Sequence, residues 1–379
     1  MREKTNNRYL KVLHVNYGLE RGGIETWLRQ LADRFPRGEV GFSLAYHRGG
    51  SDSMANDLRS AGFTLFELPS PRNPYHYLKA YRGLLRGAGP FDAVHSHVNF
   101  AGLLMLGAHL EHVPARIAHS HVSPALMTRG LVGGGYARLT NQLFLQHMTH
   151  GIAVSEQAAP TLFGSRWRNI LNITVEPCGI DLSPYREPMD ARLREQFGIP
   201  VRVPVIATIG RLSREKNQAF VVQIANELDR RQQDFRLLLV GDGPQRSALT
   251  SQIETLGLAH KVTLLGERRD VPALLGSVID LLLAPSLTEG APLTVIEAQA
   301  AGVPCVVSEA IPAASIVAKD SIQVLAFSSG VQHWADQVQQ QITAPRRHKP
   351  CRLLDDSPFD IAHNARVLQS CYRATGTPV

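Results

Sequence analysis

Short apolar runs alternate along this chain with longer segments whose apolar positions return at helical spacing. In the first half the alternation reads "YLKVLHVN" then "GIETWLRQLADRF", "VGFSLAYH" then "SMANDLRSAG", and "FDAVHSH" then "FAGLLMLGAHLEH", followed by "ARIAHSHV" and "HGIAVSE". The second half repeats it with "VPVIATIG", "NQAFVVQIANELDRRQ", "FRLLLVGDG", "QRSALTSQIETLG", "KVTLLGE", "VPALLGSV", "IDLLLAPS" and "PLTVIEAQAAG". Strand-like runs alternating with helix-like ones predict an α/β fold of parallel sheets with helices on both faces. At 379 residues the chain exceeds one ordinary core, so two domains of comparable size are expected. The stretch 180–204, "IDLSPYREPMDARLREQFGIPVRVP", carries four prolines and many charges between two such units. It is the expected linker, dividing residues 1–180 from 181–358. Open α/β sheets bind ligands beyond the C-terminal ends of their strands, which here predicts a cleft between two doubly wound domains.

Composition narrows the function. With 44% hydrophobic and 19% charged residues the chain can fill both cores. No stretch approaches the roughly 20 apolar residues that a membrane-crossing helix needs, and the charged start "MREKTNNRYLKVLHVNYG" offers no export signal. A cytoplasmic protein is expected. The four cysteines, Cys178, Cys305, Cys351 and Cys371, are widely spaced and suit reduced thiols. Residues 1–180 hold 19 Lys and Arg against 12 Asp and Glu, whereas the remainder holds 21 of each, so the whole excess of +7 lies in the first half. A basic half suits nucleic acid, an anionic membrane or a phosphorylated substrate, and no nucleic-acid-binding pattern supports the first.

The stretch "EGAPLTVIEAQAAGVPC" carries Glu289 and Glu297 around a predicted helix start. Pro292 suits the first helical turn and Gly302 with Pro304 its end, which brackets about ten residues. Glu289 then lies on the strand-to-helix loop. Glu297 lies more than one turn inside, and its side chain leans back toward that loop. Between them the N–H groups of Gly290, Ala291, Leu293 and Thr294 and the positive helix end suit an anion such as phosphate. Carboxylates beside a phosphate cradle point to a sugar phosphate ester such as a nucleotide sugar; alone, the motif also fits solvated surface acids.

Further upstream, "IGRLSREKNQ" follows the run "VPVIAT" and supplies Arg211 and Lys216. A departing diphosphate needs fixed positive charge of this kind, though a solvated helix cap would read similarly. In "GLERGGIETWLRQL", Gly22 and Gly23 stand between a strand and a helix, where glycine lets backbone approach a phosphate. The motif "HSH" occurs twice, as His95 with His97 and His119 with His121. Residues two apart share a strand face, so four imidazoles suit either a metal site or, as favoured here, one or two cleft histidines, uncharged or poised near pH 7, with the others packed inside. Apart from Asp92, three residues before His95, no acid lies near either pair, and the chain has no D-x-D. The segment "PRNPYHYLKAYRGLLRG", residues 71–87, mixes Tyr75, Tyr77 and Tyr81 with Lys79, Arg82 and Arg86. It fits an anionic lipid surface and an ordinary packed amphipathic helix equally.

Assembled, these residues resemble the retaining glycosyltransferases of family 4, which have the GT-B fold, and within them the capsule and exopolysaccharide branch. The resemblance runs through "HVNYGLERGGIETW", "DAVHSHVNFAG", "ARIAHSHVS", "GIAVSEQA", "VEPCGIDLSPY", "GRLSREKNQAF", "LLLVGDGP" and "VTLLGERRDV" to "APSLTEGAPLTVIEAQAAGVPCVVS". That last stretch matches the family's E-x7-E motif. The resemblance implies that Arg211 and Lys216 meet the donor diphosphate, Glu297 the ribose and Glu289 the transferred sugar. Gly290, Ala291, Pro292, Leu293 and Thr294 would form the cradle, with Gly22, Gly23 and Gly266 as further donor-binding positions. His121 matches the family's active-site histidine, binding the sugar or stabilising its positive ring, and His97 is a second candidate. It implies no metal or other cofactor, and a last helix at about 359–375 that packs back on the first domain. One departure is Cys178, where the family usually has Asn before the glycine of "GID".

The expected reaction is transfer of a hexose-type sugar from a nucleotide diphosphate donor to a glycan or lipid-linked oligosaccharide acceptor, with retention, and without nucleic acid as partner. An anionic membrane surface at the inner face of the cell would hold the acceptor. Two rivals stand beside it: a metal-dependent hydrolase built on the histidine pairs, and a catalytically silent nucleotide-sugar-binding protein.

Overall fold

The structure, a computed structural model, describes residues 9–19, 22–36, 38–47, 52–98, 102–121, 143–187, 190–344 and 350–374. The chain divides into two compact units, Met1–Gly179 with Pro358–Val379, and Ile180–Ser357. The predicted α/β architecture is present in both.

The first unit holds seven parallel strands in the order β3-β2-β1-β4-β5-β6-β7. They are β1 (Leu10–Asn16), β2 (Val40–Tyr46), β3 (Thr64–Glu67), β4 (Ala93–Ser96), β5 (Ala115–Ser120), β6 (His150–Ala153) and β7 (Ile173–Val175). The central strands are covered on both faces and therefore read as unbroken apolar runs. All of β4 and β5 is buried. One face packs Tyr77, Tyr81, Leu104, Met105, Phe144 and Phe163 into a single core.

The second unit holds six parallel strands in the order β10-β9-β8-β11-β12-β13. These are β8 (Val205–Ile209), β9 (Arg236–Val240), β10 (Val262–Gly266), β11 (Leu281–Ala284), β12 (Cys305–Ser308) and β13 (Ile322–Leu325). Helices Gln218–Arg230 and Gly330–Thr343 close one side of it. There Trp334 stacks with Phe327 at 5.8 Å and meets Phe220 edge-on at 5.4 Å. Both sheets reverse their strand order beside their first strand, and that switch point is where open α/β sheets gather ligands.

The stretch 180–204 differs from the expected linker. Helix Ala191–Gln196 lies inside it, and Arg194 is buried against Asp280 at 3.3 Å, which also accepts from the N–H of Val205 at 2.7 Å. Buried charge is tolerated only when paired, so this stretch is fastened into the second unit from its start.

The last helix, Ile361–Arg373, belongs to the first unit; residue 375, where it was expected to end, lies outside the described residues. Asp360 caps it by accepting from the N–H of Ala362 at 2.9 Å. Buried Asn364 fastens it: Oδ1 accepts from Trp27 Nε1 at 3.0 Å and from the N–H of Gly179, while Nδ2 faces Glu176, Pro177 and Pro358. At Gly179 a Cβ would sit 2.6 Å from the Asp360 carbonyl carbon, so only glycine lets the chain pass this close.

Candidate active site

In the second unit, the loops after β8 and β11 meet at the switch point. The backbone N–H of Leu287 donates to the Glu215 carbonyl at 2.7 Å, and Asn217 Nδ2 donates to the Pro285 carbonyl at 3.2 Å. Gln218 braces the same loop, its Nε2 on the Arg211 carbonyl at 2.9 Å and its Oε1 accepting from the Ser213 N–H at 3.3 Å. The result joins two residues 73 apart in sequence: Lys216 Nζ lies 2.5 Å from Glu289 Oε1, which also accepts from Ser286 Oγ at 2.7 Å. Glu289 is buried, Lys216 half-buried and Arg211 exposed.

Helix Leu293–Ala301 follows, nine residues ending on Gly302 at φ +73°. Pro292 stands at the cap, one position before the expected first turn. The N–H groups of Gly290, Ala291 and Thr294 make no hydrogen bond among the described residues, which leaves them to an anion. Leu293 departs from expectation, because its N–H donates to the Ala291 carbonyl at 3.0 Å. Glu297 lies a turn inside, where burial pushes its carboxyl up to about 7 against a hydrogen bond from Tyr185 that lowers it. Tyr185, on the 3-10 segment Ser183–Arg186, went unassigned in the sequence, although it closes the family stretch "VEPCGIDLSPY". Gly266 stands at the end of β10 at φ +69°, its carbonyl accepting from the N–H of Gly241 at 2.8 Å.

In the first unit Gly22 caps helix Gly23–Ala32 with extended backbone, its carbonyl taking the N–H of Thr26 at 3.1 Å. Both histidine pairs converge on one sheet face, joined by His14 of β1, which sequence reasoning missed inside an apolar run. His14 Nδ1 lies 3.0 Å from His97 Nε2, and His97 Nδ1 lies 2.8 Å from His121 Nε2. His95 Nε2 lies 3.1 Å from His119 Nδ1, and His95 Nδ1 lies 3.0 Å from the Tyr372 hydroxyl. The ring of Trp27 covers His95, His97, His119 and His121 edge-on at 5.6 to 6.4 Å. Burial lowers the pKa of all five and carries His14 and His121 to about 3, so none is poised near pH 7. His121 alone among them is partly exposed, and its Nδ1 faces Cys178 Sγ at 3.8 Å.

Helix Pro74–Ala88 corrects half of the lipid-surface expectation. Tyr77 and Tyr81 are core residues, and Arg82 and Arg86 share Glu111 at 2.5 and 2.7 Å. Tyr75 and Lys79 face outward. Among the described residues, no helix is long and apolar enough to cross a membrane. Cys178 and Cys305 are buried, and Cys351 and Cys371 half-buried; all four thiols are free.

Comparison with known proteins gives two consecutive family matches: Glycosyltransferase Family 4 over residues 21–184 and Glycosyl transferases group 1 over residues 189–352. The chain is 29% identical over 374 residues to the putative glycosyltransferase EpsF of Bacillus subtilis, covering 97% of each. It is 24% identical over 318 residues to the Escherichia coli UDP-Gal:alpha-D-GlcNAc-diphosphoundecaprenol alpha-1,3-galactosyltransferase, covering 80% of this chain and 81% of that one. Among solved structures, Anabaena HepE in complex with UDP-glucose aligns with a TM-score of 0.77 at 20% identity, covering 96% of this chain and 100% of HepE. WaaG, a glycosyltransferase involved in lipopolysaccharide biosynthesis, aligns with a TM-score of 0.68 at 18% identity, covering 95% of each.

Proposed function

Because this chain belongs to the family 4 glycosyltransferases of GT-B fold, we propose that it moves a hexose-type sugar from a nucleotide diphosphate donor to an acceptor hydroxyl, with retained configuration. The observation that carries the reading is the pairing of Lys216 with Glu289 at the mouth of helix Leu293–Ala301, one helical turn from Glu297. The free N–H groups there and the cations Arg211 and Lys216 take the diphosphate, so that no metal is needed to hold its charge. Glu297 holds the ribose, and Glu289, oriented by Lys216 and Ser286, holds the transferred sugar. Charge grows on the leaving phosphate as the glycosidic bond breaks. Groups fixed in advance around that charge stabilise the transition state more than the bound donor. The departing phosphate oxygen takes the acceptor proton on the same face, which preserves the anomeric configuration without an enzymatic nucleophile.

The acceptor is a glycan or lipid-linked oligosaccharide of the exopolysaccharide class, met at the inner face of the cell membrane. That placement draws on the basic first half and on the name of the E. coli relative. Liposome flotation at low salt tests the membrane part: recovery with anionic vesicles is expected, and its absence removes this part alone. A thermal-shift screen of nucleotide sugars, without added metal, tests the reaction class. One diphosphate donor should raise the melting temperature of the wild type and lose most of that effect in Glu297→Ala. With that donor and a purified acceptor, proton NMR of the product reports the anomeric outcome; an inverted linkage would overturn the retaining mechanism.

A further inference from the structure

His97, His119 and His121 each offer a ligand atom within 4.8 Å of the others. The hydrogen bonds decide which nitrogen each ring can give. His97 Nε2 is engaged by His14 Nδ1 at 3.0 Å, His119 Nδ1 by His95 Nε2 at 3.1 Å, and His121 Nδ1 by Cys178 Sγ at 3.8 Å. What remains is His97 Nδ1 and His121 Nε2, facing one another at 2.8 Å, and His119 Nε2, buried with no partner among the described residues. If each outer nitrogen keeps its proton, these three inner nitrogens are lone pairs. A ring fixed from behind by an acceptor for its outer N–H is how metal-bound imidazoles are held. The support reaches a further layer, because His95 Nδ1 meets the Tyr372 hydroxyl at 3.0 Å.

We propose that His97 Nδ1, His119 Nε2 and His121 Nε2 hold one divalent cation of the imidazole-preferring class, such as zinc, copper or nickel. The second trio, His14, His95 and His97, lacks this arrangement. Both nitrogens of His95 are already engaged, by the Tyr372 hydroxyl and by His119. A zinc–nitrogen distance of about 2.0–2.1 Å at a tetrahedral angle sets two nitrogens about 3.3 Å apart, so the 2.8 Å contact opens by roughly half an ångström on loading. An empty site closes that contact when two rings change tautomer: His97 carries its proton on Nδ1, toward His121 Nε2, and His14 carries its own on Nδ1, toward His97 Nε2. His121, being partly exposed, admits the ion, and a water or anion completes the fourth position. This site rests on the first unit alone; it shares His97 and His121 with the positions expected at the sugar, and metal titration reads it without turnover.

The test is titration of the chelator-stripped full chain with zinc by calorimetry and with cobalt(II) by visible absorption. One tight equivalent per chain and the intense band of tetrahedral cobalt are expected. His119→Gln should weaken binding about 100-fold or more, and His14→Phe, which removes a support behind a ligand, about 10-fold. His121→Asn, at the partly exposed ligand, provides a second loss variant should the His119 variant fail to fold. Weak binding of several equivalents, unchanged by His119→Gln or His121→Asn, would overturn the proposal, as would an octahedral cobalt spectrum, because the chain has 15 histidines that can bind metal nonspecifically.

Discussion

At Glu297 a carboxyl enclosed by its own helix and Tyr185 titrates at about 7, well above its ordinary 4.5. The sign follows from burial, which penalises the charged form. The folded protein therefore holds this proton between pH 4.5 and 7, and the stability it contributes is present below that window and lost as pH rises through it. Ribose hydroxyls donate better to the carboxylate, so affinity for a nucleotide sugar should rise as pH passes 7. A nucleotide sugar is the right probe, since its diphosphate diester does not titrate here. Calorimetry from pH 6 to 8 should show this rise in the wild type and a flat profile in Glu297→Gln. At Lys216, replacement by Met should lower kcat roughly 10²- to 10³-fold, as for loss of one transition-state charge contact, and should also lower the melting temperature, because buried Glu289 loses its partner; steady-state turnover below the transition seen by circular dichroism separates the two. Glu289, Glu297, Arg211 and Lys216 were legible because motif and spacing declare them. Their pairing across 73 residues was not, and neither were Tyr185 and His14, whose importance comes only from their spatial neighbours.

At the level of elements, strand legibility follows position in the sheet. Central runs such as "VPVIATIG" and "IDLLLAPS" stood out because both faces are covered. Four strands escaped the pattern: β3, β7 and β13 lie at sheet edges, where burial is slight and "TLFE" and "ITV" contain no fully buried residue, whereas β12 is interior and buried but only four residues long, close behind the preceding helix. Half-exposed strands of three or four residues leave no apolar run to find. The loops that build the proposed donor site obey a tighter rule. Gly241 holds φ +132°, and a Cβ there would lie 2.0 Å from the Gly210 carbonyl oxygen. Gly241→Ala therefore combines strained backbone with a clash against backbone that cannot step aside, and should cost more than about 3 kcal/mol. Urea unfolding measures the loss, and donor-induced thermal shift should fall with it, because Gly210 leads directly into Arg211 and Lys216.

For the whole molecule, the returning helix Ile361–Arg373 was legible only through resemblance, since its apolar spacing says that it packs and not where. The structure gives the reason for its address in one side chain. Asn364→Ala would strand the Trp27 indole N–H and the Gly179 N–H inside the first unit, a loss of roughly 2–5 kcal/mol. Differential scanning calorimetry should show the transition of the first unit moving down while that of Ile180–Ser357 stays in place. The same address sets an order of events during synthesis. Residues 1–179 emerge before the second unit, yet the helix that completes their core follows it. At roughly 5–20 residues per second, the 178 residues from Ile180 to Ser357 take about 10 to 35 s to pass. Throughout that interval Trp27 and the histidine face wait uncovered while the younger unit has everything it needs to close. The unit that is begun before its neighbour is completed after it, and its nascent form is the one a chaperone would have to shelter.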